Sequence, residues 1–327
     1  MWCVLHRTPG ASLSDLKFLD IPIPRAFEPV ILHDERLLRS LLTDSSFSAF
    51  AEIPNPYILW PEGLRILLQF GKLVHRYHLQ NACTLHLVES VTILVSVRQF
   101  YIDGNILRSA VQTENVEIMK LIVDALVEER RELQSLVERH LSGDELASLQ
   151  LRSKTLLGYQ AHTAHELLKA NGLELCKRVD RDNDDPWLVY ASIRESREMA
   201  DLLWHCGFQD VDDPNAEGYM SLMFCKDHEF ADWLISHGAE IYRRVLGTPA
   251  LHLMASNVDL SFNQIRFNHS KRSLRTFHLI LQDESQDECD CPCSSSGCLA
   301  ITCLFVELLH SHTKKLVRIP RSTSFTF

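Results

Sequence analysis

No apolar stretch of this chain approaches the roughly 20 residues a helix needs to cross a bilayer. The best candidate, Val91 to Val97, is short and is followed at once by Arg98, so no membrane partner is expected. The opening Met1-Trp2-Cys3-Val4-Leu5-His6-Arg7 has too small an apolar core for a secretion signal. These absences make the cytoplasm or nucleus the expected location, where thiols stay reduced. The twelve glycines are dispersed, and none forms a phosphate-cradling loop before Lys-Ser or Lys-Thr. There is no Gly-x-Ser-x-Gly elbow either. Positive charge is in deficit: 33 Lys and Arg stand against 43 Asp and Glu, a net charge of −10. Nonspecific nucleic-acid binding by the whole chain is therefore not expected, because phosphate binding needs a positive surface. Few segments alternate with period two, so strands are scarce. No catalytic residue, and no small-molecule substrate, emerges from what is missing.

What is present is ordinary for a folded protein, with 46% hydrophobic and 23% charged residues. A chain of 327 residues forms one long array or about two domains. One helix ending recurs. Ala200-Asp201-Leu202-Leu203-Trp204-His205-Cys206-Gly207-Phe208 resembles Ala231-Asp232-Trp233-Leu234-Ile235-Ser236-His237-Gly238-Ala239, with the two glycines 31 residues apart. Each is preceded by a shorter apolar helix, over 187–193 and 219–225. His162 to Gly172 closes another helix in the same way. Glycine suits that position because it accepts the left-handed conformation that satisfies the last carbonyls. Pro61 to Gly71 also reads as a helix, with proline in its first turn and glycine at its end. Self-similarity near 30 residues is the mark of a stacked repeat array. Helices this short bury their apolar faces only against their neighbours.

The sharpest stretch is Gly247-Thr248-Pro249-Ala250-Leu251-His252-Leu253-Met254-Ala255. It resembles an ankyrin repeat, as do Ala216 to Met223 and the pair Asp103 to Leu107 with Asn115 to Ile122. The resemblance implies two antiparallel helices per repeat and a turn or hairpin projecting to one side. It also implies that Thr248 and Pro249 open the first helix and that His252 ties neighbouring turns by hydrogen bonds. The layout is similar to divergent ankyrin-repeat proteins common in filamentous fungi. The residues carrying this are the Trp60-Pro61-Glu62-Gly63-Leu64 opening, the long charged helix Val127 to His140, and a Cys-rich tail. It spans roughly residues 59 to 303.

The expected fold is all-α, an irregular ankyrin-like helix-pair solenoid of about four to six units. Residues 1–50 form an irregular helical cap, 51–260 the array, and 261–327 a helical, Cys-rich and basic tail. Thr84-Leu85-His86-Leu87 reads as the start of a first helix. Asp103-Gly104 then comes after only half a repeat, so the array is expected to be distorted around 87–103.

Four constellations stand out. Cys289, Cys291, Cys293 and Cys298 supply four thiols, and tetrahedral zinc takes four. The Cys-x-Cys spacing is geometrically tight for one ion, and the readings are a soft-metal site, disulfides, or a thiol-rich loop without metal. His162, His165 and Glu166 place two imidazoles and a carboxylate on one helix, a spacing able to hold a metal with a base beside it. More often such histidines are packing or surface residues. Arg266 to Arg275 and Lys314 to Arg321 are basic runs without interleaved aromatics, read as solvated segments, with an acidic partner or nuclear import as the other readings. The helix Val127 to His140 reads as solvated, with one apolar stripe packed and charges of both signs facing solvent, or else as a partner-binding helix.

The function these features imply is a noncatalytic protein-interaction scaffold or adaptor, not an enzyme, with no cofactor and another protein as partner. A small zinc module at the C-terminal cysteines is the alternative, and a metal-dependent enzyme on His162, His165 and Glu166 the third reading. Specificity is expected in exposed turn residues: Asp213, Asn215, Glu217, Tyr219, Arg243 and Arg244.

Overall fold

In the computed structural model, residues 27–43, 52–149, 158–175, 189–193, 195–215, 217–245, 248–257 and 299 are described. Among them the chain is mostly helical, and no helix is long and apolar enough to cross a membrane. Two short helices, α1 (Glu28–Leu32) and α2 (Glu35–Thr43), pack on each other. A 3-10 turn, Asn55–Leu59, which also touches α1, then leads into α3 (Pro61–Gln69), which rests on α2. The Trp60 ring folds back over the first turn of α3, where a Cβ on Gly63 would lie 2.1 Å from it. Only glycine fits under that ring.

Next come α4 (Arg76–Thr84) and α5 (Val88–Ser96), then α6 (Gly104–Gln112) and the 25-residue α7 (Val116–His140). Helices α6 and α7 have their starts written in the sequence. Asp103 accepts from the Ile106 N–H, and Asn115 from the Glu117 and Ile118 N–H groups, which satisfies donors the helix cannot use internally. Thr84 to Leu87, expected to open a helix, instead ends one. His86 has φ +58, and the Leu87 N–H reaches back to the Ala82 carbonyl at 3.0 Å. The apolar run after it is a complete second helix, packed on α4.

After α7 come α8 (Gly143–Ser148) and α9 (Gly158–Ala170). Helix α9 packs on the C-terminal half of α7 around Leu133, Val137, Ala161, Ala164 and Leu168, separately from the larger core. Two more pairs complete the series. Helix α10 (Val189–Ser192) precedes α11 (Arg197–His205), and a second 3-10 turn, Ser221–Phe224, precedes α12 (His228–Ser236). A two-residue ladder, β1 (Arg244–Val245) with β2 (Thr248–Pro249), leads to α13 (Ala250–Asn257). The resemblance placed Thr248 and Pro249 at a helix start. They form the strand just before it, and the Ala250 and Leu251 N–H groups are capped by the carbonyls of Arg243 and Ile241 at 2.8 and 3.0 Å.

The packing runs in two rows. In one, the turn 55–59, α4, α6, α10, the turn 221–224 and α13 each touch the next. In the other, α2, α3, α5, α7 and α11 do the same, and α12 joins α11 through Trp233, whose ring meets that of Trp204 edge-on at 6.1 Å. The core is the apolar seam between the rows, from Val30 to Ala255. Burying one such side chain contributes about 1.5–3 kcal/mol.

The two glycine endings behave alike. Gly207 and Gly238 both have φ +102. The next N–H returns to a carbonyl five residues back, Phe208 to Leu203 at 3.1 Å and Ala239 to Leu234 at 3.0 Å. Helix α9 ends the same way at Gly172, φ +79, although it belongs to the separate cluster.

The helix read as one apolar stripe under solvated charges departs from that expectation. Glu129 and Arg130 on α7 are 2% and 1% exposed. They sit where α7 leaves the main core and meets α9. Glu129 Oε2 accepts from the Ile102 N–H at 2.7 Å, and Arg130 Nη1 lies 3.5 Å from Glu129 Oε1. Buried charge persists where it is bonded.

Candidate functional site

Hydrogen bonds link residues 24 to 32 apart in the chain. His78 shows the device best. Its Nδ1 accepts from the His75 N–H at 3.0 Å, which puts the proton on Nε2, and Nε2 donates to the Ile53 carbonyl, 25 residues back, at 2.7 Å. The ring is buried, and burial lowers its pKa, keeping it neutral. Ser90 Oγ donates to the Ile58 carbonyl at 2.5 Å, and Arg76 reaches Tyr101 Oη at 3.0 Å and Asp103 at 3.3 Å. Glu195 Oε1 accepts from the Asp227 N–H at 2.9 Å and from that of Lys226.

The six residues expected on a rim lie in two segments, described over 206–215 with 217–219 and over 238–245. In the first, Asn215 Oδ1 accepts from the N–H groups of Glu217 at 3.1 Å and Tyr219 at 2.9 Å. Gly218, φ +87, allows the chain to reverse there. The loops are joined by Asp212. Its Oδ2 accepts from the Glu240 N–H at 2.7 Å, and its backbone carbonyl lies 3.5 Å from Arg243 Nη1. Asp212 is 5% exposed. Burial pushes its carboxyl up to about 6; the carboxylates of Glu240 and Asp210 push the same way, while the Glu240 N–H and Arg243 oppose them.

Of the six expected rim residues, Glu217 and Arg244 are exposed, and Asn215, Tyr219 and Arg243 are half-buried. Asn215 spends its side-chain oxygen within the turn, and Tyr219 rests against Phe224 at 5.7 Å. Asp213 is a correction: expected in the open, it is 7% exposed, next in sequence to Asp212, which ties this segment to Glu240. Tyr242, absent from the residues expected on the rim, is 60% exposed between Arg243 and Ile241. An aromatic directly before two arginines, Arg243 and Arg244, was the signal available.

The histidine constellation does not assemble. His165 is buried in the α7–α9 cluster, His162 is half-buried, and Glu166 is exposed, with its Oε1 3.3 Å from His165 Nδ1. Among the described residues no group of three or more His, Cys, Asp or Glu could hold a metal ion. Cys289, Cys291, Cys293 and Cys298 lie outside the described residues, as does Cys176. Cys83 and Cys225 are buried, with thiols pushed up by burial, that of Cys83 to about 12. Such thiols are poor nucleophiles.

No family model matches the chain, and no curated protein matches it in sequence.

Proposed function

We propose that this chain is a noncatalytic protein-binding scaffold or adaptor, built as an irregular, ankyrin-like solenoid of helix pairs. What carries this reading is the stitching itself. Bonds 24 to 32 residues apart tie one unit to the next, so cohesion is spent between neighbours and the loop tips are left to solvent. His78 makes the turn-to-turn bonds that the ankyrin resemblance implied for His252, and His252 is buried at the corresponding end of α13. Exposed Glu217, Tyr242 and Arg244 lie on the projecting loops, and aromatic and arginine side chains are the ones most often found at the centre of protein interfaces.

The test is affinity capture from the native cell followed by mass spectrometry, with wild-type protein and a Tyr242→Ala, Arg244→Ala double variant. The expected result is a specific protein captured by wild type and lost by the variant, with both melting at the same temperature. Equal capture by both removes this rim as the binding surface.

A further inference from the structure

A cavity of about 530 Å³ opens between the turn that joins α6 to α7 and the turn that joins α10 to α11. From it we infer that the partner of the scaffold proposed above presents a lysine- or arginine-bearing segment with apolar neighbours, and that this segment docks here, away from the loop rim.

Three observations carry it. The volume lies within the roughly 300–1,000 Å³ that ligand-holding clefts span, enough for a few side chains of a peptide. One wall is apolar: Val111, Val116 and Met119 line it, Val116 59% exposed, Val111 half-buried and Met119 buried behind them. The rest is charged unevenly. Among the described lining residues, Glu114, Glu195 and Glu198 stand with one guanidinium, that of Arg197, an excess of negative charge.

The two helix ends that border the cavity do not reverse that preference. The α7 start is capped by Asn115 Oδ1, which accepts from Glu117 N–H at 2.9 Å and Ile118 N–H at 3.3 Å. The α11 start is capped by Ser196 Oγ, 3.4 Å from the Met199 N–H. With those donors occupied, an anion finds little to bind, while a cation finds carboxylates. Glu195 is fixed by its bonds to the Lys226 and Asp227 N–H groups. The Glu114 carboxylate makes no hydrogen bond or ion pair among the described residues, and the residue stands at the rim in a left-handed conformation, φ +52. Glycine is the cheaper residue at such an angle. The long stem of a lysine or arginine would cover Val116 while its charge meets the glutamates.

The experiment pans a random dodecapeptide phage library on the full chain and then measures one enriched peptide by fluorescence anisotropy. Enriched sequences are expected to place Lys or Arg beside Leu, Ile, Met or Val. The synthetic peptide should shift the ¹³C-methyl signal of Met119. A Glu114→Gln, Glu198→Gln double variant, altered only in side-chain charge, should keep its melting temperature and bind roughly tenfold more weakly. Enrichment of peptides without basic residues, no enrichment, an unmoved Met119 signal, or equal affinity for the variant would each overturn the inference. Failure here is separable from failure of the scaffold reading. Peptides that bind the glutamate variant normally but are lost on Tyr242→Ala, Arg244→Ala keep the rim and dismiss the cavity.

Discussion

The indole N–H of Trp233 donates to Asp201 Oδ1 at 2.8 Å, joining α12 to α11 across 32 residues of chain. The same ring stacks on His237 at 3.9 Å and on Phe230 at 5.9 Å. One side chain thus closes its own helix and holds the preceding one. Trp233→Phe keeps an aromatic ring and removes the donor, leaving the Asp201 carboxylate without that partner. The expected loss is about 1–2 kcal/mol in urea denaturation. An unchanged midpoint would mean that the two helices are held by apolar contact alone.

Leu251 and Gly238 test different physics in the same region. Leu251 is fully buried in α13, so Leu251→Ala should cost about 2–5 kcal/mol through lost burial and the cavity left behind. A Cβ at Gly238 would meet nothing within 4 Å, but φ is +102, so Gly238→Ala carries only a backbone penalty of roughly 1–2 kcal/mol. Thermal melts of the two variants should fall in that order, with the leucine variant lower. The reverse order would mean that the turn geometry outweighs packing.

Asp212 gives the loop joint a pH dependence. Its carboxyl is raised to about 6 from an ordinary 3.8. A group raised in the folded state favours folding most below its unfolded pKa, and that contribution is lost as pH rises through the folded value. At pH 7.5 the buried charge is therefore a cost that Asp212→Asn removes, and the variant should be more stable by about 1–3 kcal/mol. The difference should shrink as pH falls through 6 toward 4. His78, lowered by burial, acts in the opposite sense, since its contribution is lost as pH falls below the ordinary histidine range. Comparing Asp212→Asn with wild type across pH isolates the aspartate. A difference in melting temperature that stays constant from pH 7.5 to 4.5 would contradict the assignment.

The helix ends were the most legible part of the fold. Gly207 and Gly238 announce their stops because few other residues adopt φ +102, and Leu251 is marked for burial by its place in an apolar pattern. His86 shows the limit of that rule. It ends α4 at φ +58 without being glycine, and the leucines on either side look like a helix opening. The hidden Glu129 and Arg130 were unreadable for another reason: periodicity describes one helix, whereas their burial is set by where α7 passes between two apolar clusters. Asp213 misled similarly, since a run of Asp and Asn reads as open loop until a second loop closes over it. Tyr242 was visible only as one aromatic directly before Arg243 and Arg244. The two-residue ladder at 244–249 was hidden because Thr-Pro before a helix has the same composition in either conformation.

Amide hydrogen exchange on Leu222→Ala tests most directly whether each helix pair depends on its neighbours. Leu222 is fully buried in the turn between α10 and α13. The expected result is protection lost in α10 to α13 and kept at wild-type values in α3 to α5. Equal loss of protection along the whole chain would mean a single cooperative core, and the stacked-repeat reading, with the binding surface built on it, would fall.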